Sequence, residues 1–147
     1  MRHCIVLDSC FIIATTDPAD SYHTDALNIF NELLKDSLNA TIIIPPIVIY
    51  EVIATLIRKG FSHDEVEDKI MYLLRVPKII TMSITETSAF RHSRKLLSPG
   101  TPTNSLRTAD FMITCVGLDF EAQILTFDRA VWNKIKPIYP KIYYCSS

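Results

Sequence analysis

Near its N-terminus the chain reads His3-Cys4-Ile5-Val6-Leu7-Asp8, a short apolar run that ends in a carboxylate. A run of this length predicts a buried β-strand over residues 3–7. Because the run is continuously apolar rather than alternating, we expect both faces of the strand to be covered, as they are in a parallel sheet. The combination of an apolar run and a following acid recurs at Ile124-Leu125-Thr126-Phe127-Asp128.

Strand patterns alternate with helix patterns along the rest of the chain. Helix boundaries are indicated by Pro45-Pro46, by capping boxes that begin at Ser62 and Ser83, and by Gly117 as a C-terminal stop. Further strands are predicted over residues 40–44, 78–82, 122–127 and 138–145, and helices over residues 22–38, 47–59, 62–75, 83–97, 105–116 and 129–134. This alternation predicts an α/β fold with helices on both faces of a mostly parallel sheet.

The composition is that of a compact globular protein. With 147 residues, of which 48% are hydrophobic and 21% charged, the chain is large enough for a single domain, residues 1–147, with a sizeable core. No apolar stretch reaches the roughly 18 residues of a transmembrane helix, and the N-terminus lacks the pattern of a signal peptide. We therefore expect a cytoplasmic protein that does not contact a membrane.

Net charge and cysteine spacing indicate which kinds of binding site to expect. A net charge of −1 means that any contact with nucleic acid depends on a local basic patch rather than on the field of the whole protein. The four cysteines form no C-x-x-C pair, and the four histidines are scattered. This pattern favours buried, reduced thiols over a zinc site.

Four carboxylates lie inside or beside apolar runs: Asp8, Glu51, Asp110 and Asp128. An ionised carboxylate that is removed from water must be neutralised, paired with a cation or bound to a metal. Sites in parallel sheets form at the carboxyl ends of the strands, and the predicted topology brings all four acids towards that edge. Hard oxygen ligands suit Mg²⁺ or Mn²⁺, which can activate water for phosphodiester hydrolysis.

Three of these acids also have an interpretation without a metal. Asp8 could cap a helix, Glu51 could pair with a buried Arg or Lys, and Asp128 could be a loop residue after a strand. Other acids need no metal, since residues 64–68 form a solvated, acidic helix start that complements the helix dipole.

Four motifs, in this order, resemble those of the PIN-domain ribonucleases, and in particular the VapC-type toxins of toxin–antitoxin pairs. They are Ile5-Val6-Leu7-Asp8-Ser9, Tyr50-Glu51-Val52, Leu106-Arg107-Thr108-Ala109-Asp110-Phe111-Met112-Ile113 and Leu125-Thr126-Phe127-Asp128-Arg129. The resemblance covers nearly the whole chain and implies a three-layer α/β/α fold around a parallel sheet. It also implies that the four acids bind one or two Mg²⁺ or Mn²⁺ ions, and that metal-bound water cleaves RNA.

The resemblance extends to neighbouring residues and to partners. Ser9 and Thr126 match positions whose hydroxyls hydrogen-bond the acids or metal waters in relatives, and such contacts fix ligand orientation. Cys10 departs from the pattern, because many relatives carry Asn or another polar residue there. We interpret Cys10 as a small buried residue rather than a nucleophile. The resemblance further implies a homodimer and an antitoxin partner.

Basic residues near the motifs are candidates for binding RNA phosphates, which gives affinity without sequence choice. The candidates are Arg91, Arg94, Lys95, Arg107 and Arg129. The alternative for each is an ordinary solvated position on a helix face. The loop over residues 98–104, just before Asp110, could line an RNA groove.

The sequence therefore predicts a metal-dependent endoribonuclease, the toxin of a toxin–antitoxin pair. One alternative is a metal-dependent nuclease that acts on structured DNA. Another is a non-catalytic module that keeps the fold for RNA binding or assembly.

Overall fold

The computed structural model describes residues 3–146 and has a five-stranded sheet at its centre. Its strands are β1 (His3–Leu7), β2 (Ala40–Ile43), β3 (Ile79–Ile80), β4 (Gln123–Thr126) and β5 (Ile142–Tyr144). They lie in the order β3-β2-β1-β4-β5, and every neighbouring pair is parallel. The prediction of a parallel sheet is confirmed.

Seven α-helices connect the strands within the described residues. They are α1 (Ser9–Thr16), α2 (His23–Leu33), α3 (Pro46–Arg58), α4 (His63–Leu74), α5 (Glu86–Leu96), α6 (Thr108–Phe120) and α7 (Arg129–Ile135). Right-handed crossovers put α1–α4 on one face of the sheet and α5–α7 on the other. The packing agrees, since α1 contacts α2 and α3, α3 contacts α4, and α5 contacts α6. These three layers confirm the predicted α/β/α fold.

The sheet is apolar because helices cover both of its faces. Val6, Leu7, Ile42, Ile43 and Ile124 have almost no exposed surface. Continuous apolar strands are the pattern expected of a doubly covered parallel sheet. No helix among residues 3–146 is long and apolar enough to cross a membrane.

The direction of strand addition reverses between β1 and β4. From β1 the chain adds β2 and then β3 on one side, and it then crosses over to place β4 on the other side of β1. Ligands of open parallel sheets bind at such a switch point, outside the carboxyl ends of the strands. Asp8 follows β1 and Asp128 follows β4, so both lie at this position.

Helix α1 was not predicted from the sequence. Its residues, Ser9–Thr16, are apolar on nearly all sides, and Phe11, Ile12 and Ala14 are buried. A helix without a polar face has no amphipathic period, so its pattern cannot be distinguished from that of a buried strand.

Two predicted helix signals are also wrong in detail. The N-cap of α5 is Thr85 rather than Ser83, and its hydroxyl accepts the Ser88 N–H at 3.1 Å. Gly117 does not end α6, which continues to Phe120 and ends at Glu121 with φ +50°. A Cβ on Gly117 would lie 2.8 Å from Cδ1 of Ile124, so this glycine permits close helix–sheet packing.

Strand lengths differ from the prediction at the sheet edges. The strand predicted over residues 78–82 is reduced to two residues in β3, and the one over residues 138–145 to three in β5. Both are edge strands, where short pairing is common because only one neighbour supplies hydrogen bonds.

Candidate active site

Asp8 lies at the centre of the switch point and is held by four hydrogen bonds. Its Oδ1 accepts the Ser9 N–H at 2.7 Å and the Ser9 hydroxyl at 3.4 Å. Its Oδ2 accepts the Thr126 hydroxyl at 2.8 Å and the Cys10 thiol at 3.3 Å. Burial raises the pKa of Asp8, and Asp128 raises it further, while these hydrogen bonds oppose the shift. The carboxylate is therefore well oriented but short of positive charge.

Thr126 and Cys10 connect the ends of β1 and β4. The fully buried Thr126 hydroxyl donates to Asp8 and accepts the Asp128 N–H at 2.9 Å. The sulfur of Cys10 accepts the Phe127 N–H at 3.2 Å. Burial and the adjacent Asp8 charge raise the pKa of Cys10, which keeps its thiol protonated. A protonated thiol that donates to Asp8 supplies a polar contact at this position and is a poor nucleophile.

Glu51 and Asp110 approach the same point from two helices. Glu51 is half-buried in the second turn of α3, and Asp110 is buried in the first turn of α6. Burial, followed by the charges of Asp8 and Asp110, raises the pKa of Glu51, while a hydrogen bond with the Ser9 side chain lowers it. The pKa of Asp110 is raised by burial and by Asp8, although Arg107 opposes the shift. The structure thus brings these acids within electrostatic reach of one another.

Asp128 has a structural role in addition to its place near the other acids. Its Oδ1 accepts the N–H groups of Ala130 and Val131 at 2.9 and 3.1 Å, which caps the short helix α7. Its charge also raises the pKa of Asp8 and Asp110. Asp128 therefore both starts α7 and adds negative charge to the cluster.

The positive charge near the acids is small. Arg107 Nε lies 3.5 Å from Asp110 Oδ2, but the Arg107 side chain is 79% exposed. Because the guanidinium is well solvated, it offsets only part of the negative charge of the buried carboxylate. The alternative that a buried Arg or Lys neutralises Glu51 finds no support in the ion pairs among residues 3–146.

The donor set fits a divalent cation that keeps part of its water shell. Carboxylate oxygens are the ligands that Mg²⁺ and Mn²⁺ prefer. Over residues 3–146, no three His, Cys, Asp or Glu side chains form a ready coordination shell. Mg²⁺ usually binds through one or two carboxylates and several waters rather than in an all-protein cage. Direct contact from one or two of these acids therefore meets the requirement.

The five basic candidates occupy different environments. Arg91 pairs with Asp119 at 3.1 Å, and Asp119 lies nine residues after Asp110 on α6, about 13 Å along the helix axis. Arg107 and Arg129 adjoin Asp110 and Asp128, respectively. Arg94 and Lys95 are exposed in the last turn of α5. Arg107 and Arg129 are thus the two that the fold brings to the acids.

Aromatic residues beside the acids were largely missed by the sequence interpretation. A groove of about 530 Å³ adjoins Asp128 and is lined by Tyr22, Phe127, Arg129 and Tyr144. Tyr22 lies in a predicted helix and Tyr144 in a predicted strand, where an aromatic side chain is more often part of the core. They are 122 positions apart, and no local pattern indicates that they meet.

Comparisons with known proteins agree with this architecture. No curated protein matches the chain. The solved structure of the VapC20 toxin from Mycobacterium tuberculosis, which cleaves the sarcin–ricin loop, has a TM-score of 0.64 at 15% identity, covering 84% of this chain and 87% of that one. VapBC-1 from nontypeable Haemophilus influenzae has a TM-score of 0.68 at 15% identity, covering 98% and 99%.

A third similar structure is VapBC2 from Rickettsia felis, bound to a DNA fragment from its promoter. Its TM-score is 0.67 at 16% identity, and the match covers 95% of each chain. At these identities the likeness concerns the fold. The family model for the PIN domain matches residues 5–136, a span that includes all four acids. The chain therefore belongs to the PIN domain family, with the fold seen in VapC toxin structures.

Proposed function

We propose that this protein is a divalent-metal-dependent endoribonuclease and the toxin of a toxin–antitoxin pair. The observation that carries the proposal is the cluster of Asp8, Glu51, Asp110 and Asp128 at the switch point, where burial and mutual repulsion exceed the available positive charge. A cation of charge +2 would offset this excess. Membership of the PIN domain family supports the same function.

The chain's own residues would orient the metal site. Asp8 is fixed through both oxygens, by Ser9 on one side and by Thr126 on the other. The Ser9 hydroxyl is within reach of both Asp8 and Glu51 and can donate its single proton to either acid. When bound, Mg²⁺ or Mn²⁺ would supply a water of lowered pKa and would stabilise charge on the phosphate. Arg107 and Arg129 would hold flanking phosphates of the RNA.

The test is cleavage of RNA by purified variants in which a carboxylate becomes a neutral isostere. We expect Asp8→Asn and Asp110→Asn each to lower Mn²⁺-dependent cleavage by at least about a hundredfold, because metal binding and water orientation both depend on these oxygens. Asp64→Asn is the matched control, since Asp64 is an exposed residue of α4. Wild-type cleavage by either site variant, with the fold intact by circular dichroism, would show that the assigned roles are wrong.

Two alternatives are separated by the same reagents. Matched single-stranded RNA, single-stranded DNA and structured DNA substrates distinguish a ribonuclease from a deoxyribonuclease. A non-catalytic RNA-binding module would bind RNA but show neither cleavage nor metal binding by calorimetry.

The toxin assignment is supported by the three similar Vap structures, one a VapC toxin and two described as VapBC. We propose that the protein acts in the cytoplasm, forms a homodimer and is inhibited by a small antitoxin. Expression of the chain should arrest growth, and co-expression of a protein encoded beside it should restore growth. Growth arrest that persists in Asp8→Asn would argue against toxicity through RNA cleavage.

A further inference from the structure

The groove beside Asp128 has the features of a site for a planar ring. Its volume of about 530 Å³ lies within the range of small-molecule sites, which is roughly 300–1,000 Å³. Aromatic side chains form much of its wall, and Asp20, Ser21 and Arg129 add polar groups.

The aromatic wall is held in place by the core. Phe11 is fully buried and stacks on Phe127 with ring centroids 5.4 Å apart, and Phe127 stacks on Tyr22 at 4.7 Å. The Tyr22 N–H also donates to Asp20 Oδ1 at 2.9 Å. A preformed wall loses little side-chain entropy when a ligand binds, which favours affinity.

The end of the sheet contributes Tyr144 to the groove, next to Tyr22. The hydroxyls of Tyr144 and Tyr22 lie 3.3 Å apart, and the Arg129 guanidinium lies 5.2 Å from the centre of the Tyr144 ring. Arg129 is exposed, so its charge can meet an anion from solvent. The groove thus combines aromatic rings with a cation at its rim.

The groove is directly connected to the acid cluster. Asp128 lines the groove, its backbone N–H donates to Thr126, and Thr126 donates to Asp8. Cys10 also lines the groove and contacts Asp8. A ligand in the groove is therefore adjacent to any phosphate at the acids.

We propose that this groove binds one unpaired nucleobase of the RNA, next to the phosphate that is cleaved. Tyr22 and Tyr144 stack with the base, and Arg129 contacts its phosphate. This inference rests on the proposed ribonuclease function and adds a position at which the substrate must be single-stranded. Stacking on an aromatic side chain accepts any base, because every base has a π-face.

Binding of abasic RNA tests the proposal. Labelled single-stranded oligoribonucleotides, each lacking one base near the cut, are titrated with wild-type protein in EDTA, so that binding is measured without cleavage. Removal of the base at one position should weaken binding about tenfold, as expected from the loss of one stacking contact.

Variants assign that loss to the groove. Tyr22→Leu and Tyr144→Leu should weaken binding of the intact oligonucleotide by a similar factor and show no further loss with the abasic one. Tyr144→Phe keeps the ring and should behave like wild type. Tyr72→Leu is the control, because Tyr72 is an exposed tyrosine of α4 outside the groove. An abasic penalty that persists unchanged in both leucine variants would overturn the proposal.

Arg129→Met tests the phosphate contact and leaves the stack of Phe11, Phe127 and Tyr22 unchanged. The variant should bind every oligonucleotide more weakly, with the slope of log affinity against log salt reduced by about one. An unchanged slope would show that Arg129 does not contact a phosphate.

Cleavage assays distinguish the ribonuclease proposal from the groove proposal. If the protein cuts RNA but removal of a base does not weaken binding, the ribonuclease proposal stands and the groove proposal is wrong. If removal of a base weakens binding but the protein does not cut RNA, the groove proposal stands and the ribonuclease proposal is wrong.

Discussion

Asp8 has two properties with opposite effects on stability: its hydrogen bonds hold elements of the fold together, and its negative charge is buried. Its hydrogen bonds with Ser9 and Thr126 start α1 and join β1 to β4, so the side chain stabilises the fold. Its negative charge is nevertheless buried beside other acids, which raises its pKa. Asparagine could keep the Ser9 contact through its oxygen and donate to the Thr126 oxygen through its amide.

We therefore expect Asp8→Asn to be more stable than wild type in EDTA at pH 7, by about 1 kcal/mol or more, because an uncompensated buried charge destabilises the folded state. A pKa raised above the ordinary value of 3.8 means that Asp8 binds a proton more tightly in the folded protein than in the unfolded chain. The stabilisation of wild type by this tighter proton binding is complete below pH 3.8 and is lost as pH rises through the raised pKa. Urea unfolding from pH 4 to pH 8 should show that the free energy of unfolding of Asp8→Asn exceeds that of wild type by an amount that grows with pH.

The control for this prediction is Asp64→Asn, which should be no more stable than wild type, because the exposed Asp64 lies in the first turn of α4, where its charge complements the helix dipole. If Asp8→Asn is less stable than wild type at every pH, the hydrogen bonds of Asp8 outweigh its charge, and burial is not the dominant influence on this residue.

At the scale of elements, α6 connects the core to the site. Its first turn carries Asp110, and its later turns pack against β4 and Tyr139. Gly117 lets this helix approach the sheet closely, while the Tyr139 hydroxyl donates to the Gly117 carbonyl at 3.0 Å. The position of Asp110 therefore depends on a glycine two turns further along the same helix.

Gly117→Ala should lower the free energy of unfolding by about 1 kcal/mol. Alanine favours the helix by nearly 1 kcal/mol, but overpacking costs typically 1–3 kcal/mol, since the new Cβ would lie 2.8 Å from Ile124 Cδ1. Ile124→Val removes that methyl group, so the loss should be smaller in an Ile124→Val background. Equal losses in both backgrounds, measured by urea unfolding, would contradict the assigned contact.

At the scale of the whole molecule, the cluster joins distant parts of the chain. Asp8 and Asp128 follow the two central strands, while Glu51 and Asp110 come from helices in different layers. A cation held by this cluster binds the folded state and not the unfolded chain, in which these residues are far apart. Metal binding should therefore stabilise the entire domain rather than one element.

Mn²⁺ or Mg²⁺ should raise the melting temperature in proportion to the logarithm of its concentration. At about a hundred times the dissociation constant, the gain is roughly 2.7 kcal/mol, or a shift of about 5–10 °C for a domain of this size. Asp8→Asn and Asp110→Asn should lose most of the shift, and Asp64→Asn should retain it. A wild-type melting temperature that does not respond to either ion would contradict the proposed metal site.

Much of the fold could be predicted because its signals are local. The strand over residues 3–7, the capping box at Ser62 and the start of α3 at Pro46 follow from short patterns of polarity and backbone preference. The four acids could be selected because a charge inside an apolar run conflicts with its surroundings. Helix α1 was missed because it is buried on nearly all sides and therefore has no period to detect.

The sequence by itself determined the class of fold, the order of most elements and the unusual positions of the acids, since these depend on neighbours along the chain. Only the tertiary structure decided which residues meet. Gly117 acts in close packing rather than as a helix stop, Cys10 donates to Asp8, and Tyr22 adjoins Tyr144. Contacts of this kind depend on strand order and crossover direction, which bring together residues that no local pattern relates.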